Sequence, residues 1–92
     1  MDTTHTSYVP ISCEFHDLLE TLATQGTAVP IFFRDPAGVL QSRTSRITDV
    51  YSRGGEEFLS MATGEAIRLD RLAAVNGQLL ADYAADAAWC AA

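Results

Sequence analysis

Residues 28–46, AVPIFFRDPAGVLQSRTSR, decide how the chain is read. Ala28 to Arg34 is rich in β-branched and aromatic residues, which suit a pleated, half-buried strand. Pro30 within it predicts an edge position or a bulge, because proline gives no hydrogen bond to a ladder. Asp35-Pro36-Ala37-Gly38 has the chemistry of a type I turn, with Asp first, Pro second and Gly fourth. Val39 to about Arg46 then returns as a polar strand that bends and continues through Ile47, Val50 and Tyr51. A hairpin at this point commits the chain to β architecture.

The signals repeat downstream. Ser52-Arg53-Gly54-Gly55 predicts a turn, Glu57 to Ala62 a strand, Thr63-Gly64 a tight turn and Glu65 to Leu69 another strand. Asp70-Arg71-Leu72 reads as a corner before Ala73 to Val75. Four or five short strands with tight turns predict a small antiparallel barrel, a mainly β class. Asn76 is a candidate cap for a helix carrying Leu79, Leu80, Tyr83, Ala87 and Trp89, in an alanine-rich segment that favours helix.

Upstream, the periodicity changes. Phe15, Leu18, Leu19 and Leu22 fall at i, i+3, i+4 and i+7, the spacing of one helical face, and predict a helix from about Cys13 to Thr24. Ser12 can cap its start and Gly26 can supply a left-handed stop. At about 100° per residue, Glu14, Asp17 and Glu20 point nearly opposite to the apolar stripe. Tyr8 to Ile11 reads as extended, since Pro10 biases Val9 away from helix, and residues 1–7 as a flexible end. The expected organisation is a flexible 1–7, a domain over 8–77 and an alanine-rich tail over 78–92.

The chain has 92 residues, 48% of them hydrophobic and 20% charged, which suits one globular domain. Its net charge of −6 is unevenly placed. All six basic residues are arginines between Arg34 and Arg71, where Asp35, Asp49, Glu56, Glu57, Glu65 and Asp70 balance them. Asp2, Glu14, Asp17 and Glu20 on one flank, and Asp82 and Asp86 on the other, have no basic neighbours. Ordinary solvent faces mix signs, so this distribution disfavours a phosphate backbone as partner and favours a basic protein surface. No apolar run approaches the roughly 20 residues of a spanning helix, and no signal-peptide pattern opens the chain, so a cytoplasmic location and free thiols at Cys13 and Cys90 are expected.

Chemical constellations are sparse. Cys13 and His16 lie one helical turn apart, but only His5 and Cys90 remain to complete a tetrahedral metal site. His16 and Asp17 are adjacent and point about 100° apart, with no nucleophile nearby. The glycines match no phosphate loop. Glu56 and Glu57 alternate across a strand start, so only one of them can face a given partner. No enzyme, cofactor or metal is expected.

One resemblance joins these pieces. Tyr8-x-Pro10-Ile11-x-Cys13, His16-Asp17-x-Leu19-Glu20, Arg34-Asp35 with Gly38, Asp49 with Ser52-Arg53, Glu57-Phe58-Leu59 and Ile67-Arg68-Leu69-Asp70-Arg71-Leu72 together resemble the Rof (YaeO) family of inhibitors of the transcription termination factor Rho, over about residues 8–77. The resemblance implies an Sm-like fold, a helix followed by a strongly bent antiparallel sheet of about five strands. It also implies binding to the N-terminal, RNA-binding region of Rho, by a protein that is a monomer when free and binds no nucleic acid itself. Carried over by position, the partner-binding residues are Glu14, Asp17 and Glu20, with His16 and Arg53 in the matching motifs. Phe15 stands where a family member has a further acid, and the segment after Gly77 has no counterpart. The alternatives are an Sm-like RNA-binding module using Arg43, Arg46, Arg53, Arg68 or Arg71 with Tyr51 or Phe58 as a stacking surface, and a homo-oligomeric scaffold built by edge-strand pairing.

Overall fold

A computed structural model describes residues 11–84. Helix α1 (Cys13–Gln25) is followed by strands β1 (Val29–Arg34), β2 (Leu40–Ser45), β3 (Ile47–Arg53), β4 (Glu56–Met61) and β5 (Ala66–Arg68), a 3₁₀ turn (Leu69–Arg71), β6 (Leu72–Val75), β7 (Gln78–Leu79) and helix α2 (Ala81–Ala84). The strands form two antiparallel sheets, ordered β2-β1-β6-β7 and β3-β4-β5. This is the expected mainly β, Sm-like arrangement behind an N-terminal helix. No helix among the described residues is long and apolar enough to cross a membrane.

The bend expected near Arg46 joins the two sheets. β2 ends at Ser45 and β3 begins at Ile47, so one chain segment pairs with β1 on one side of Arg46 and with β4 on the other. The Ala62 amide secures the corner, donating to the Arg46 carbonyl at 3.0 Å and to Ser45 Oγ at 3.1 Å. The strand count exceeds five because this bent strand divides in two and because β7 adds a further short pairing with β6.

Local chemistry matches the sequence at α1. Ser12 accepts a hydrogen bond from the Phe15 amide at 3.2 Å, and Gly26 takes φ +69°, a left-handed stop that costs a residue with a Cβ more than glycine. Phe15, Leu19 and Leu22 are buried, as predicted, against Ile31, Ile47, Leu59 and other inward strand residues. Leu18 is only partly buried and packs at the margin of this core.

Three expectations are corrected. Pro30 lies on β1, an interior strand, and the irregularity falls instead between Phe32 and Phe33. The β1–β6 ladder ends at the Ile31–Val75 pair, and the Pro30 carbonyl accepts from the Asn76 amide, so the missing proline N–H faces a side where the ladder has already stopped. Asn76 does not cap a helix. With φ +52°, beside Gly77 at +80°, it forms the β6–β7 turn, a geometry Asn and Gly tolerate, and the fold therefore continues beyond residue 77. Cys13 is not a free thiol but disulfide-bonded. α2 returns the chain to the start of α1, where the Tyr83 ring meets Phe15 edge-on at 5.1 Å. Residues 1–10 and 85–92, with the expectations for the flexible end, the extended Tyr8, His5, Trp89 and Cys90, lie outside the described residues.

The predicted turn after β1 is present, closed by the Gly38 amide on the Asp35 carbonyl at 2.8 Å. The Asp35 carboxylate accepts from the amides of Val39 and Ala37 and from Gln41 Nε2, each at 2.9 Å. These bonds, the one from Val39 foremost, hold its pKa below the ordinary 3.8. The Arg43 guanidinium likewise holds Glu65 below its ordinary 4.5. A carboxylate depressed in the folded state contributes stability above its unfolded pKa and loses it as pH falls through the folded value. The urea midpoint is therefore expected to decline from about pH 5 downward, and a variant carrying Asp35→Asn and Glu65→Gln to show a shallower decline over the same range.

Candidate functional surface

The outer face of α1 follows from its inner one. Burial of Phe15, Leu19 and Leu22 fixes the rotation of the helix, and that rotation leaves Glu14, Asp17 and Glu20 exposed. None of the three is paired with an arginine among the described residues; Glu20 approaches only His16 Nδ1, at 3.5 Å. Phe15 is wholly buried and takes no part in this face.

His16 has a more internal role than a contact residue. Its side chain is 15% exposed, and Nε2 donates to Glu57 Oε2 at 3.0 Å; the Glu57 side chain is 8% exposed. A carboxylate so deeply placed is tolerated only with partners, so this bond ties the first turns of α1 to β4. Glu56 and Glu57 divide as alternation requires: Glu57 faces His16, and Glu56 accepts from Arg68 Nη1 at 3.3 Å on the other side of the strand. The sequence contained that alternation but not the identity of the inward partner.

The helix acids do not stand alone. Glu20, Ala23 and Thr24 of α1 and Asp49 and Val50 of β3 line an open cleft of about 180 Å³. Asp49 is exposed and has no cationic partner among the described residues, so it extends the negative face from the helix onto the sheet. Sequence reasoning missed it because equal numbers of arginines and acids between residues 34 and 71 suggested mutual neutralisation. Among the described residues, Arg43 pairs with Glu65 and Arg68 with Asp70 and Glu56, while no arginine reaches Asp49. One potential ligand atom each of His16, Asp17 and Glu20 lies within 4.8 Å of the others. The Cys13–His16 ligand pair is ruled out, since a disulfide sulfur offers no thiolate.

Arg53 is not part of the helix cluster. It ends β3 beside the Gly54-Gly55 turn, exposed, with its guanidinium 5.9 Å from the Tyr51 ring centroid, and Tyr51 stacks on Phe58 at 5.5 Å. The described surface thus combines carboxylates on an open face, a small cleft between α1 and β3, and an arginine over the Tyr51 ring. No protein-family model, curated protein or solved structure matches this chain.

The His16–Glu57 bond is measurable by a double-mutant cycle with His16→Ala and Glu57→Gln. Each single change is expected to destabilise by about 1–3 kcal/mol in urea unfolding, and the pair by less than the sum, with a coupling of about 1 kcal/mol. Strict additivity would mean that the contact stabilises nothing.

Proposed function

We propose that this chain is an antiterminator of the Rof type, an acidic protein that binds the N-terminal, RNA-binding region of Rho and keeps RNA from its primary site. The observation that carries this reading is the row of solvent-facing carboxylates, Glu14, Asp17 and Glu20, without arginine partners among the described residues and continued by Asp49 at the cleft. A surface that binds RNA phosphates presents arginines and lysines, and such a surface is attracted by this face. Coulomb attraction speeds encounter. The cleft between Glu20 and Asp49 accepts one cationic side chain and fixes the register, with Arg53 and the Tyr51 ring at a second point of contact. No chemical step is needed: occupancy excludes RNA, and the cytoplasm, where transcripts form, is the place of action.

The stacked Tyr51 and Phe58 with Arg53 favour the RNA-binding alternative to a degree, since bases stack on such rings. Against it, Arg43 and Arg68, two of its five candidate arginines, are engaged by carboxylates, and the net charge of −6 repels a polyanion.

Replacing Glu14, Asp17 and Glu20 with Lys is expected to leave the circular dichroism spectrum unchanged. Affinity for Rho should fall at least about a hundredfold, as loss of three contacts of about 1 kcal/mol each implies. Binding by the unaltered protein should weaken as salt rises through about 0.15 M and should compete with cytosine-rich RNA. Undiminished inhibition of Rho by the triple variant would reduce the acidic face to an ordinary solvated surface. Micromolar binding of single-stranded RNA by the isolated protein would favour the alternative.

A further inference from the structure

The turn between β6 and β7 has a chemistry found nowhere else in the chain. Asn76 is its single asparagine, and Gly77 follows it directly. Among the described residues Asn76 is also the one non-glycine residue with a positive φ, +52°, beside Gly77 at +80°. Both residues are exposed. The Asn76 amide donates to the Pro30 carbonyl at 2.8 Å, but neither the Asn76 carboxamide nor the Gly77 amide has a hydrogen-bond partner among the described residues. A Cβ placed on Gly77 would meet nothing within 4 Å, so no neighbouring group shields that side of its backbone.

We propose that Asn76-Gly77 is a site of spontaneous modification, at which the asparagine loses ammonia and becomes isoaspartate, with opening of the β6–β7 turn controlling the rate. The Gly77 nitrogen, once its proton has passed to a solvent base, attacks Asn76 Cγ. A new C–N bond forms, the carboxamide nitrogen leaves as ammonia, and a cyclic imide remains. Water then opens the imide. Addition at Cγ gives aspartate, and addition at the main-chain carbonyl gives isoaspartate, in which the chain runs through Cβ and Cγ. The balance is one water taken up and one ammonia released, without oxidant or cofactor. Glycine in the second place assists, because it sets no Cβ beside the attacking nitrogen. Ring closure needs that nitrogen and Cγ on the same side of the Asn76 Cα–C bond, whereas a left-handed residue holds them apart. The Val75–Gln78 and Ala74–Leu79 pairs, with the Leu80 amide on the Ala73 carbonyl at 3.0 Å, resist the necessary rotation. Reaction therefore proceeds from the locally opened hairpin. Its product does not fit back. Isoaspartate lengthens the turn between Val75 and Gln78 by one main-chain atom, which the tight connection and its register do not accommodate. Tyr83, whose hydroxyl donates to Gln78 Oε1 at 3.1 Å and whose ring meets Phe15 at 5.1 Å, then loses the strand that places it. One covalent change at the turn is thus felt at the start of α1.

The test incubates the intact protein at mildly alkaline pH and follows it by mass spectrometry, with electron-transfer fragmentation to locate the change and to separate isoaspartate from aspartate. Isoaspartate is expected to accumulate at residue 76, at least about tenfold more slowly than in the same chain unfolded in urea, since local opening must precede reaction. Tyr83→Phe removes the bond to Gln78 and keeps the ring on Phe15. It should quicken the reaction about fivefold, the effect of one hydrogen bond on the opening equilibrium. The isoaspartate form should lose the Tyr83–Phe15 contact in NMR spectra, whereas Asn76→Asp, which brings the charge without the extra main-chain atom, should keep it. The proposal is overturned if residue 76 stays unmodified while the urea-unfolded chain converts, or if folded and unfolded chains convert equally fast. An unchanged rate in Tyr83→Phe would overturn it too, as would an isoaspartate form that retains the contact with Phe15.

Discussion

The structure depends on the burial of Phe15, Leu19 and Leu22 beneath α1. A 13-residue helix is marginal by itself, so its existence rests on this contact rather than on propensity. At about 1.5–3 kcal/mol for each large apolar side chain, the three contribute roughly 5–9 kcal/mol before the entropy of ordering is subtracted. That is comparable with the whole net stability of a small domain. The same contact sets the rotation of the helix, and rotation alone decides that Glu14, Asp17 and Glu20 meet solvent while His16 reaches Glu57. Core and surface are thus one constraint seen from two sides.

Much of this was legible in the sequence because it is governed by neighbours a few positions away. The i, i+3, i+4, i+7 spacing from Phe15 gave the buried face, Ser12 and Gly26 its ends, and Asp35-Pro36-Ala37-Gly38 the first hairpin. The bend near Arg46 was expected where the polar strand from Val39 continues through Ile47, Val50 and Tyr51, and β2 gives way to β3 there. What could not be read depends on contacts distant in sequence. Pro30 on an interior strand requires knowing where the β6 ladder ends. Asn76 is equally suited to capping a helix and to a left-handed turn, and the pairing of Ala74 and Val75 with Leu79 and Gln78 selects the turn.

Charge shows the same division more sharply. The balance of arginines and acids between residues 34 and 71 was correct as arithmetic and misleading as a map. Arg43 reaches across to Glu65, and Arg68 holds both Asp70 and Glu56, while Asp49 and Arg71 have no such partner among the described residues. A residue count averages over these cases, whereas a partner meets them individually. Neutrality in sequence therefore conceals an extension of the negative face onto β3.

The short β7–α2 segment decides which strand ends the first sheet. Sheet edges attract other strands, and small barrels that leave two edges open can join head to tail. Here Gln78 and Leu79 pair with Val75 and Ala74, so the chain itself occupies one edge of β6 while β1 occupies the other. Tyr83 then fastens the segment by meeting Phe15 and donating from its hydroxyl to Gln78 Oε1 at 3.1 Å. β6 is therefore an interior strand, and β7 takes the end position in its place. Residues 78–83 thus join the sheet to the helix: β7 extends the sheet at β6, and Tyr83 carries the chain onto Phe15.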